Sequence, residues 1–292
     1  MKKIARPVFM LVTLLIVIAC ATGCASIHIS ASNGNLAEVQ RYVQEGADVN
    51  ATVSGGFTPL MSAAKYAHLD VVKFLVDKGA NVNAKDGNGT TPLIYAEIGG
   101  LQVAENARLE VVKFLVDKGA DVNPKNSGGI TALTEAAAYG HLAAVKFLVD
   151  KGADMNVKDR DGNTLLMLAS QGSLDLVKFL VDKGADVNAT NKFGLTPLIW
   201  AGDDDNKRGL DYPNVAKFLV DKGADVNAKN MYGWTPLMGA AAYGYLDVVK
   251  FLVGKGADVN AKTMIGTTPM KLAERYKDEV MVEFLKQHGA KE

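Results

Sequence analysis

Residues 56–85 read GFTPLMSAAKYAHLDVVKFLVDKGANVNAK, and this stretch decides the fold. Thr58 is placed to cap a helix, and Pro59 to fill its first position, where a missing N–H costs nothing. Ala63 and Ala64 favour helicity and let a neighbouring helix approach closely. A turn near Ala67-His68 leads to a second helix over 69–77. Its Val71, Val72, Leu75 and Val76 fall at the spacing of one buried stripe. Gly79 supplies the left-handed residue that ends this helix. Residues 80–89, with Asp86-Gly87, read as an extended loop around a tight turn.

The close of this stretch returns along the chain. The glycine of its Gly-Ala-Asp/Asn step recurs at Gly46, Gly79, Gly119, Gly152, Gly184, Gly223, Gly256 and Gly289. A period near 33 residues signals stacked repeats, and it overrides the two-domain expectation that 292 residues would otherwise carry. Each repeat is a helix–turn–helix followed by a protruding hairpin loop. Thr-Pro starts recur at Thr91, Thr196, Thr235 and Thr268, while Thr131 and Thr164 keep the cap without the proline.

The Thr-Pro-Leu-x-x-Ala start, the Gly140-His141-Leu142 turn, the Gly-Ala-Asp-Val-Asn close and the interval together resemble the ankyrin repeat. The resemblance implies an all-α solenoid of helix pairs carrying β-hairpin loops over residues 27–292. Eight units are expected, at about 27–51, 56–84, 89–124, 129–157, 162–189, 194–228, 233–261 and 266–292. The family's usual histidine after Thr-Pro-Leu is replaced by Met61, Ile94, Thr134, Met167, Ile199, Met238 and Lys271, so apolar contact must do its bridging. The fifth unit is one residue short near Ser170-Gln171-Gly172. The third gains about seven residues within 97–106 and the sixth about six within 202–211, both at the turn between the paired helices.

Residues 1–23 form a separate device. Met1-Lys2-Lys3-Ile4-Ala5-Arg6 is a short basic region, and residues 8–19 are an uncharged, mostly apolar run. That run suits a signal peptide and falls short of the roughly 20 residues a spanning helix needs. Val17-Ile18-Ala19-Cys20 and Ala21-Thr22-Gly23-Cys24 both resemble the bacterial lipobox, so cleavage is expected after 19 or 23, with Cys20 or Cys24 lipidated. An ordinary cleaved signal peptide is the alternative. The expectation is export to the periplasmic side of a bacterial envelope, as an outer-membrane lipoprotein held to the membrane by that anchor.

Chemistry is sought without result. No other cysteine exists, so no disulfide framework and no zinc site is expected. Lys+Arg and Asp+Glu both number 32, which gives no electrostatic case for nucleic acid. His68 and His141 share one helix-start position, which points to structure rather than catalysis. Phosphate-loop, metalloprotease and serine-hydrolase motifs are missing, and neither a cofactor nor a small-molecule substrate is expected. Asp203-Asp204-Asp205-Asn206 lacks the alternate spacing of a calcium loop. Lys73, Lys113, Lys146, Lys178 and Lys217 each precede an aspartate by four, which predicts pairs within exposed helices. The repeated Asp and Asn of each close are expected to bond locally, and the phenylalanines at Phe74 and its equivalents to pack between repeats.

Variation over the repeated frame marks the candidate surface. The first four hairpin tips are small or polar: Ser54-Gly55, Gly87-Asn88, Ser127-Gly128 and Arg160-Asp161. The last three are apolar: Phe193 with Leu195, Met231-Tyr232 with Trp234, and Met264-Ile265. Exposed apolar clusters usually mean contact. Tyr243, which shares a register with Tyr66 and Tyr139, and Trp200, which shares one with Tyr95, extend the surface onto the first helices. The expected role is non-catalytic binding of a protein through hairpin tips and inner helices. A stress-protective or toxin-neutralising factor that acts by binding an enzyme is the alternative.

Overall fold

The computed structural model describes residues 27–99, 103–202 and 211–291. The signal segment, Cys20, Cys24 and the Asp203–Asp205 cluster lie outside them. Sixteen helices appear among the described residues: α1 (27–32), α2 (Leu36–Gln44), α3 (Pro59–Lys65), α4 (Leu69–Asp77), α5 (Pro92–Ile98), α6 (Glu105–Asp117), α7 (Ala132–Ala138), α8 (Leu142–Asp150), α9 (Leu165–Ala169), α10 (Leu174–Asp182), α11 (Pro197–Ala201), α12 (Tyr212–Asp221), α13 (Pro236–Ala242), α14 (Leu246–Gly254), α15 (Pro269–Arg275) and α16 (Glu279–Gln287). None is long and apolar enough to cross a membrane. This is an all-α solenoid of helix pairs.

The chain divides into two compact bodies, one of residues up to 135 with 146–153, the other of 136–145 with 154–292. In the first, inner helix α3 packs on α5, while outer helix α4 packs on α2 and α6. In the second, α11 packs on α9 and α13, α15 packs on α13, and α12 lies between α10 and α14. Helices therefore form an inner and an outer layer within each body. Between the layers sit fully buried side chains such as Leu60, Val72, Leu75, Leu198, Leu237 and Val249.

Capping explains the repeated inner helices. The hydroxyls of Thr58, Thr91, Thr164, Thr196, Thr235 and Thr268 each accept a bond from the backbone N–H three residues on, satisfying an otherwise orphaned donor. Met61, Ile94, Met167, Ile199 and Met238 are buried, whereas Thr134 fills the position with a hydroxyl that accepts the Thr131 N–H at 2.8 Å and Lys271 is exposed, so the apolar replacement is partial. Met61 adds a weak bond, its Sδ accepting the Thr58 N–H at 3.4 Å. Two histidines bond the backbone of a neighbouring repeat: His68 Nε2 bonds Ser32 O at 2.8 Å, and His28 Nε2 bonds Phe57 O at 2.9 Å.

Several expectations need correction. No β-strand forms among the described residues, where isolated bridges join Val53 to Phe57 and Lys158 to Thr164. The hairpin arms are too short for a ladder; a backbone bond closes each tip, as from the Asn191 N–H to Leu195 O, and side chains add to it. Asp86, Asn126, Asp159, Asn191 and Asn230 each use Oδ1 to accept the N–H groups two and four residues later. The expected lysine–aspartate pairs four apart do not form among the described residues; within α10 Lys178 meets Asp175 instead, at 3.6 Å. Asp77, Asp117 and Asp221 meet Lys118, Lys151 and Lys255 of the next repeat, at 3.8, 3.4 and 2.9 Å. A lysine preceding its acid by four is the weaker order on a helix. The phenylalanines are only half-buried; the ammonium groups of Lys118, Lys151 and Lys255 lie 5.5, 5.3 and 5.2 Å from the ring centres of Phe114, Phe147 and Phe251.

The insertion in the third repeat is also more than a turn. α6 has 13 residues where α4 has nine, so Glu105–Arg108 adds a helical turn. Arg108, buried, donates from Nη1 to Ala96 O and Glu97 O and from Nη2 to Gly99 O, at 2.8, 3.0 and 2.7 Å. It thereby satisfies the last carbonyls of α5.

The repeated asparagines reach further than the expected local bonds. Asn50, Asn83, Asn188, Asn227 and Asn260 each donate from Nδ2 to the terminal glycine carbonyl of the following repeat. Through Oδ1 the same five side chains accept the N–H two residues beyond that glycine. Local bonding falls to the aspartates, as where Asp225 Oδ1 accepts the Asn227 N–H. Asn156 breaks the series: its side chain reaches neither Gly184 nor Asp186, among the described residues. A cleft of about 460 Å³ opens there, lined by Asn156, Lys158, Lys183, Gly184 and Asp186.

Candidate functional site

In the second body, the hairpin tips of the last repeats are joined edge to edge. The Met231 N–H donates to Phe193 O and the Met264 N–H to Tyr232 O, both at 2.9 Å. Close approach at this seam requires glycine: Gly233 has φ +79°, and a Cβ there would lie 2.9 Å from Lys262 O. With their backbones committed to one another, the tips present side chains outward. Met264 is 78% and Ile265 89% exposed, and Met231, Tyr232 and Phe193 are exposed too.

Tips and inner helices of the seventh and eighth repeats enclose a groove of about 380 Å³. Tyr232, Trp234, Met264 and Ile265 line it from the tips, and Tyr243 lines it from the residue that caps α13. Leu272, Arg275 and Tyr276 complete it from α15 and its C-cap. Five of the nine residues expected from sequence thus converge on one concavity. Phe193, Leu195, Met231 and Trp200 do not line it. Phe193 and Met231 continue the exposed tip edge. Leu195 is half-buried, its N–H held by Asn191. Trp200 is half-buried on α11, with no partner for its buried Nε1 among the described residues.

Six groove residues lie outside the expected set: Ala242, Thr263, Thr267, Leu272, Arg275 and Tyr276. Tyr276 lies 33 residues after Tyr243, in the same register, and that signal was there to be read. Arg275 and Leu272 carry no mark in the periodicity that separates them from cap residues. Tyr95, the register mate of Trp200, serves the frame instead. Its hydroxyl donates to Asp86 Oδ2 at 2.7 Å, and burial, then that bond, pushes the phenol up to about 12. Among the described residues no cluster of three or more His, Cys, Asp or Glu could hold a metal ion.

A family model of ankyrin repeats, three copies long, matches residues 27–126, 100–191, 186–263 and 209–292. A search of the curated proteins found no match.

Proposed function

Since the chain belongs to the ankyrin-repeat family, whose repeats generally mediate protein–protein interaction, we propose that it is a non-catalytic binding scaffold of the bacterial cell envelope. It engages a protein partner through the tips and inner helices of its last repeats. The observation that carries this reading is the groove, where exposed Tyr232, Met264 and Ile265 converge with Trp234 and Tyr276. Large apolar side chains left in water around a concavity are costly unless a partner covers them. The envelope location rests on the basic start, apolar run and paired lipobox-like cysteines of residues 1–24. A tether at that end raises the effective concentration of the groove near partners at the membrane.

The test is affinity capture from envelope extract with the mature protein and with a Tyr232→Ala, Met264→Ala, Ile265→Ala variant. All three side chains are exposed, so helical circular dichroism should be unchanged. The expected result is a specific protein captured by the parent and lost from the variant. Equal capture by the folded variant would place the binding surface elsewhere.

A further inference from the structure

We infer that the groove receives an acidic peptide segment carrying a large apolar side chain beside its carboxylates. This rests on the docking reading above and adds the chemistry of the partner. Arg275 is the only charged residue that lines the groove; it is exposed and meets no carboxylate among the described residues. Around it the charge is one-sided. The stretches 228–243 and 261–276, which supply the walls, hold Lys229, Lys262, Lys271 and Arg275 against Glu274 alone. The whole chain, by contrast, balances 32 basic with 32 acidic residues. Such a local excess steers and orients an acidic partner.

The apolar part of the ligand follows from size and lining. At about 380 Å³ the groove is near the lower end of the roughly 300–1,000 Å³ typical of ligand pockets. It accommodates one large anchor against Trp234, Leu272 and Met264, not a broad folded face. Strand addition is disfavoured at this edge, because the Met264 N–H and Tyr232 O are already bonded to each other. Recognition therefore falls to side chains: an apolar anchor in the groove, and a carboxylate on the Arg275 guanidinium.

The experiment pans phage-displayed random peptides against the full chain and an Arg275→Glu variant in parallel. The expected consensus from the parent places Asp or Glu next to Leu, Phe or Trp. A synthetic peptide of that consensus should bind the variant about tenfold more weakly or worse, and should lose affinity as salt rises. Arg275 is exposed, and circular dichroism of the variant confirms its fold. A consensus without acidic residues, bound equally by Arg275→Glu, would overturn the proposal and leave the docking reading standing. Displacement of the peptide by a single-stranded oligonucleotide at lower concentration would overturn it in favour of nucleic acid. Peptides that still bind the Tyr232→Ala, Met264→Ala, Ile265→Ala variant, or no enrichment at all, would bring down both.

Discussion

Asn227 and Asn156 occupy the same place in two repeats and do different work. Asn227 spans a seam with two bonds, to Gly256 O at 3.0 Å and from Asp258 N at 2.8 Å. Asn156 keeps only the local bond from its own N–H to Asp154 Oδ1. A net hydrogen bond contributes about 0.5–1.5 kcal/mol. Asn227→Ala should therefore cost about 1–2 kcal/mol, and Asn156→Ala no more than about 0.5 kcal/mol. Urea unfolding of both variants beside the parent checks this; equal losses would show that the forward bonds add nothing. The sequence alone made the caps legible, since Thr58-Pro59 states its role within three residues. It hid the reach of Asn227, because the partners lie 29 and 31 residues ahead and a Gly-Ala-Asp-Val-Asn close reads as a local turn. The register of Tyr276 is hidden for a similar reason. Lys277, with φ 58°, stands where Gly244 follows Tyr243, so the turn around Tyr276 does not look like its counterpart.

At the level of helices, the fifth repeat is the irregular one. α9 has five residues where α3 and α13 have seven, and the asparagine bridge from the preceding repeat is missing beside it. α11 has five residues too, yet Asn188 bridges to Gly223 and Asp225 across its repeat, so a short inner helix does not by itself remove the bond. The Asp186 N–H, left without an asparagine acceptor, borders the 460 Å³ cleft. Hydrogen–deuterium exchange should find the Asp186 amide faster than those of Asp225 and Asp258, which Asn188 and Asn227 protect. Matching rates at the three amides would contradict this. The missing residue near Ser170 was legible as a count, but the absent bond at Gly184 was not. The third repeat's insertion was legible to the same degree. Its position followed from the interval, whereas the turn of helix at Glu105–Arg108 did not, because Glu105, Asn106, Ala107 and Arg108 carry no apolar periodicity.

Over the whole molecule, neutrality conceals segregation. The frame pairs its charges across exposed repeat edges, as at Lys255–Asp221, where each pair adds little stability. The groove of the last repeats holds Arg275, which meets no carboxylate among the described residues. The opposite end of the sequence carries the proposed address. If it is a lipoprotein signal, palmitate labelling of cells making the full chain should persist in one of the Cys20→Ser and Cys24→Ser variants and vanish in the other. Label in both, or absence from the parent, would contradict a single processed cysteine. The helix pairs and their order were visible in one period, since a solenoid writes its architecture along one dimension, while the insertion expected within 202–211 lies mostly outside the described residues. Which exposed residues share a concavity depends on how neighbouring repeats meet, and only five of the nine expected residues did so.

The asparagine bridge has one more consequence. Its side chain addresses only backbone: a glycine carbonyl and an amide two residues beyond. A seam written in backbone does not ask which side chains its neighbour has acquired, nor how far along the chain that neighbour lies. Asn83 meets Gly119 across the lengthened third repeat with the same two bonds that Asn50 makes to a repeat of ordinary length. Such an array can grow by tandem duplication, swallow an insertion, and let each copy drift at its tip, because the joint between copies is indifferent to all three.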